Sequence, residues 1–150
     1  METIKQELLE KCEHFIQQKT AALHNAMQGL KQDLENESKS SAGDKFETGR
    51  EMINIEWNKI SNQLQQYEQM RSVLKRINVQ VDSGIAKAGS IIFTENANYF
   101  ISIPAGEIIV QDTRFYAIGS KAPVAIAMLG KTENDSYTFN QQNVLIKKII

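Results

Sequence analysis

Apolar positions in the first half of the chain recur at helical spacing. Leu9, Ile16, Leu23 and Leu30 fall every seven residues, Leu8, Phe15 and Ala22 run beside them, and Cys12, Ala26 and Met27 fill the intermediate turn. After a polar break the pattern resumes at Phe46, Ile53, Ile60, Tyr67 and Leu74, with Trp57 and Leu64 widening the stripe. Residues 2–78 contain no proline and are rich in Glu, Gln, Lys, Leu and Met, all good helix formers. Two heptad-spaced segments joined by a short polar link predict an antiparallel helical hairpin, a coiled coil. Each arm of roughly 30–35 residues spans about 45–50 Å at 1.5 Å per residue, so the reversal sits at the far end. The alternative is two helices of a compact bundle, but the rest of the chain offers too little helix to complete one.

The period then changes. Residues 79–90, "VQVDSGIAKAGS", read as a linker with Gly84 and Gly89 as breakers. Beyond it "SIIFTEN", "NYFISI", "EIIVQD" and "RFYAIG" are short β-branched and aromatic runs bounded by Asn, Asp, Gly or Pro, which predicts strands. "SKAPVAIAMLGK" interrupts them as one short helix: Ser120 suits a cap, Pro123 the first turn, and Gly130 the position just past the end. "SYTFN" and "NVLIKKII" finish as a hairpin through "NQQN". The expected class is α+β in two pieces: a hairpin over 1–78, a linker over 79–90, and a small antiparallel β domain with one short helix over 91–150.

Composition narrows the function. The 150 residues are 41% apolar with a formal net charge of −1, and neither half is strongly charged. That balance argues against binding free DNA or an anionic membrane, which takes clustered Lys and Arg. The single cysteine, Cys12, excludes an internal disulfide or a cysteine-based zinc site. With a charged N-terminal stretch and no apolar run of membrane-spanning length, the expectation is a cytoplasmic protein with no membrane partner.

Few residue patterns carry chemistry. Cys12 and His14 are two apart and face different sides of a helix, so Cys12 reads as a packed thiol and His14 and His24 as solvated. The "DLENES" run lacks the glycine and ligand spacing of a calcium loop. No glycine-rich phosphate loop is present. The aromatics of the second half, Phe93, Tyr99, Phe100, Phe115, Tyr116, Tyr137 and Phe139, are not interleaved with cations apart from Arg114, and read as core. The stretch that remains is "SKSSAGDKFETGREM", between the predicted helices. Asp44 and Glu47 have the spacing of a capping box at a helix start. The same two carboxylates crown the hairpin, where they could give oxygen ligands to a weakly held Mg²⁺ in a partner's active site.

Two motifs in register resemble the Gre-type bacterial transcript-cleavage factors, elongation factors that enter the secondary channel of RNA polymerase. One is the tip, "SSAGDKFETGREM"; the other is "IGSKAPVAIAMLGKTENDSYTF" in the second half. Order, spacing and length agree over nearly the whole chain. The resemblance implies an inserted N-terminal hairpin and an FKBP-like β domain docked at the channel mouth through Ser120, Pro123, Leu129, Gly130 and Lys131. It implies that Asp44 and Glu47 share the Mg²⁺ of the polymerase active centre, and that Glu47 orients the attacking water. Lys39, Ser41, Lys45, Thr48 and Arg50 would contact the tip's surroundings and the nascent RNA 3′ end. The chain would then be no enzyme itself and hold no cofactor of its own, but would stimulate cleavage of backtracked RNA by the polymerase. The family usually has Asn where this chain has Thr48, and many members carry a fuller basic patch than Lys31, Lys39, Lys45, Arg50 and Lys59 provide. Two further readings therefore stay open: a channel-binding regulator that modulates or inhibits polymerase without cleavage, and a coiled-coil interaction protein in which Asp44 and Glu47 only cap a helix.

Overall fold

The structure, a computed structural model, describes residues 3–38, 43–80 and 84–150; the side chains at 37, 38 and 43–47 also lie outside the described set. The fold is α+β: a long helical hairpin, α1 (Ile4–Ser38) and α2 (Gly43–Lys75), followed by a six-stranded sheet with one short helix. The strands are β1 (Ile91–Thr94), β2 (Asn98–Ser102), β3 (Gly106–Val110), β4 (Thr113–Gly119), β5 (Ser136–Phe139) and β6 (Gln142–Ile149), with α3 (Pro123–Met128) between β4 and β5.

Contacts divide the chain into two compact units, residues 16–70 and residues 1–15 with 71–150. In the first, Ile16, Thr20 and Ile60 are buried, and Leu23, Met27, Leu30, Ile53, Leu64 and Tyr67 are half-buried. A helix pair has no third layer, so it can cover only its seam. Trp57, expected to widen the stripe, is 38% exposed and lies outside that seam.

In the second unit α1 opens with a capping box. The Thr3 N–H donates to Gln6 Oε1 (3.0 Å) and the Gln6 N–H donates to Thr3 Oγ1 (3.2 Å), satisfying two of the helix's free donors. Leu8 and Cys12 are fully buried here, whereas Leu9, first of the heptad series, is only half-buried. The reason is a sheet partner. Cys12 Sγ lies 3.9 Å from Ser102 Oγ on β2, so the start of α1 packs on a sheet face and its buried line follows that face.

The sheet order is β3-β4-β2-β1-β6-β5. All pairs are antiparallel except β2 and β4, which run parallel. The chain leaves β2, turns through Pro104 to a Gly106 at φ 79°, forms β3 one place out, and fills the gap with β4. Local pattern gives strands; it does not give which strands become neighbours. Alternation separates two faces. Phe100 and Ser102 share the face toward α1, and register sets Ala117 beside Phe100. On the other face Ile92, Ile101, Tyr137, Val144, Ile146 and Ile149 pack with Ala125 and Met128 of α3.

Residues 84–90, the described end of the expected linker, are packed. Ala86 is 2% exposed; its N–H donates to the Lys131 carbonyl and its carbonyl accepts from the Gly130 N–H, both at 2.8 Å. The chain turns at Gln111–Asp112 and Asn140–Gln141, with φ of 50°, 62°, 52° and 65°. These are two-residue hairpins of the mirror-image type, matched to strand twist. The expected "EIIVQD" strand thus ends at Val110.

Candidate functional site

The tip is built by the start of α2. Its helical backbone begins at Gly43, so Asp44 and Glu47 are the second and fifth helical residues, one turn apart. A capping box would have put Asp44 just outside the helix. An acidic residue in the first turn is still favourable, because the helix dipole is positive there. The side chains of Asp44, Lys45 and Glu47, and all of Lys39 and Ser41, lie outside the described residues. Thr48 and Arg50 are described and exposed, and Arg50 already takes part in an interaction within the chain. Close behind the tip Met52 is 67% and Ile55 63% exposed.

The second group of predicted residues surrounds α3. Ser120 is exposed but does not cap the helix; the cap position is Ala122, with no side-chain cap bond, and Pro123 takes the first turn. Pro123, Leu129 and Gly130 are exposed and Lys131 is half-buried. Gly130 holds φ 82°, a left-handed conformation that ends the helix and favours glycine. The motif's final acid, Asp135, accepts from the Thr132 N–H (2.8 Å) and Oγ1–H (3.0 Å). These hydrogen bonds hold its carboxyl below the usual carboxylate range. Gly130 and Asp135 thus have structural duties of their own, while Ser120, Pro123, Leu129 and Lys131 stand with the exposed Gly130 as the predicted contacts. Sequence reasoning missed Ile126, 60% exposed on the same outward face. The signal was present: 123, 126 and 129 follow helical spacing, while Ala125 and Met128 take the buried side.

Cys12, the two histidines and the aromatics lie as expected. Cys12 is fully buried, and burial pushes its thiol up to about 11. His14 and His24 are exposed. The seven aromatics are buried or half-buried; Phe93 meets Phe115 edge-on at 5.8 Å. Among the described residues no group of His, Cys, Asp and Glu could hold a metal ion, and no helix is long and apolar enough to cross a membrane.

Fold and site define a helical hairpin with acids at the start of its second arm, joined to a β unit whose short helix turns an apolar edge outward. No protein-family model and no curated protein matches the chain. Among solved structures it is similar to the crystal structure of GreA factor homolog 1 (Gfh1) protein of Thermus thermophilus, at 18% identity over 90% of this chain and 92% of that one, with a TM-score of 0.35. A second structure, of the transcription factor Gfh1, shows 18% identity over 89% and 90% of the two chains and a TM-score of 0.34.

Proposed function

We propose that this chain is a Gre-like transcription elongation factor. It binds RNA polymerase through the secondary channel and stimulates Mg²⁺-dependent cleavage of backtracked RNA. The observation that carries this reading is the place of the tip motif. Asp44 and Glu47 stand on the opening turn of the second of two helices 35 and 33 residues long. A paired-helix arm of that length reaches into a narrow channel and delivers what it bears at its reversal.

Two carboxylates are too few to cage Mg²⁺ alone, but they fit an ion held mainly by a partner, because Mg²⁺ prefers a few carboxylate oxygens and water. Bound there, Mg²⁺ supplies charge stabilisation and a lowered pKa for attacking water. Asp44 adds an oxygen ligand; Glu47 orients the water for attack on the RNA phosphodiester. The polymerase owns the catalytic centre, and this chain completes it. Pro123, Ile126 and Leu129 anchor the β unit to the polymerase surface, with Lys131 at their edge.

Thr48 favours a second reading. Its hydroxyl stands where the family's amide helps place the catalytic acid, and with few cations behind it the tip would occupy the channel without supporting cleavage. The two readings separate on a stalled, backtracked elongation complex given the protein and Mg²⁺. Shortened RNA that resumes extension supports the first; intact RNA with slowed extension supports the second. Failure to bind polymerase refutes both.

A further inference from the structure

A pocket of about 140 Å³ lies in the β unit. Its walls come from the first turn of α1 (Lys5), the segment just past α2 (Arg76 to Asn78), the turn before β1 (Lys87 to Ser90) and Ile150. Three of its lining residues are cationic, and none of the described lining residues is Asp or Glu. Lys5 is only 5% exposed and already engaged within the chain. Arg76 and Lys87 are exposed and have no carboxylate partner among the described residues.

The rim is held in shape. The Lys87 N–H donates to Ser90 Oγ (3.1 Å), whose own hydroxyl donates to the Ile85 carbonyl (3.3 Å). Gly89, at φ 92°, donates its N–H to the Ile101 carbonyl at 2.7 Å. A Cβ there would sit 3.2 Å from the Ile77 side chain, so the turn packs directly on the end of α2. Ile150 is fixed by reciprocal 2.9 Å hydrogen bonds with Ile91.

We propose that this pocket binds a phosphate group. A guanidinium presents a planar fork to phosphate oxygens, and an ammonium adds a compact second charge. Here the two are carried by different segments and converge on a cavity too small for a nucleoside. The phosphate is therefore either free or the end of a larger molecule whose remainder stays outside. The plainer role for these cations is to complement the carbonyl end of α2; that role needs no ligand.

Titrate the full chain, ¹⁵N-labelled, with sodium phosphate against sodium chloride at matched ionic strength and neutral pH. The amides of Asn78 and of residues 87–90 shift saturably with phosphate and not with chloride. The double variant Arg76→Gln, Lys87→Gln weakens that binding at least tenfold, while Lys121→Gln leaves it unchanged. Both altered residues are exposed, and an otherwise unchanged amide spectrum verifies folding. Adenosine monophosphate binding as tightly as inorganic phosphate assigns the site to a phosphate on a larger molecule; phosphate binding alone assigns it to the free ion. Shifts equal in chloride, or undiminished in the double variant, overturn the proposal.

Discussion

Leu8 and Leu9 are adjacent, chemically identical and both on α1, yet only Leu8 is fully buried. Heptad spacing alone would favour Leu9; packing on the sheet favours Leu8. Leu8→Ala removes three carbons from a close-packed site. Transfer alone costs about 2.4 kcal/mol at about 0.8 kcal/mol per methylene, and an unfilled cavity raises the cost toward 3–4 kcal/mol. Leu9→Ala, at a half-buried position, should cost about 1 kcal/mol. At about 2–4 °C per kcal/mol for a chain of this size, the Leu8 variant melts about 6–12 °C or more below the parent and the Leu9 variant a few degrees below. Denaturant unfolding gives the free energies, and native-state hydrogen exchange of β2 and β4 amides locates them. If Leu8 packs with the sheet, exchange of Phe100 and Ala117 amides accelerates in Leu8→Ala and barely in Leu9→Ala. Equal losses, or loss confined to residues 16–70, would refute the claim that the start of α1 belongs to the β unit.

Four further expectations follow from three particular residues. Gln141→Gly, at φ 65° in a two-residue turn after Asn140, should stabilise the protein by about 0.5–1 kcal/mol in urea unfolding, because it removes a side chain from a left-handed position. Cys12, with its thiol pushed up to about 11, should react with an aromatic disulfide reagent at pH 8 at least about a hundredfold more slowly than in the unfolded chain. The raised folded value also fixes a sign: stability is fully present below the unfolded thiol's ordinary range and falls as pH rises from there toward 11, which Cys12→Ala should abolish. Ile126→Glu, on an exposed face, should leave the melting temperature within a degree or two but weaken polymerase binding at least tenfold in a pull-down titration.

Much of this organisation is legible in the residues. The six strands and α3 were readable because β-branched runs end at Asn, Asp, Gly or Pro, and because Pro123 and Gly130 bracket one short apolar turn. Thr3 and Gln6 form a capping box whose spacing is plain in the sequence but was overshadowed by the heptads behind it. The parallel β2–β4 pair was not readable, since nothing local tells Phe100 that Ala117 will lie beside it. Nor was the choice of Leu8 over Leu9, which depends on a face that meets α1 through Ser102, 90 residues after Cys12. At the tip, residue types and spacing speak for Asp44 and Glu47, and the helix start at Gly43 sets them one turn apart in the backbone. At α3, by contrast, the motif mixed two kinds of residue. Gly130 and Asp135 are there for backbone conformation and a turn, and only the positive φ and the Thr132 hydrogen bonds, seen in the structure, separate them from the equally exposed Pro123, Ile126 and Leu129.

The most direct measurement is RNA length over time in a backtracked elongation complex, with Mg²⁺, given either this protein or its Asp44→Asn, Glu47→Gln variant. Our account predicts that the parent shortens the RNA and restores extension, and that the variant binds polymerase as well but leaves the RNA uncut. Both changes keep side-chain size and remove charge; the lost helix-dipole interaction costs about 0.3–1 kcal/mol per acid, which polymerase binding by the variant controls for. Cleavage undiminished in the variant, or none with the parent, would contradict the account.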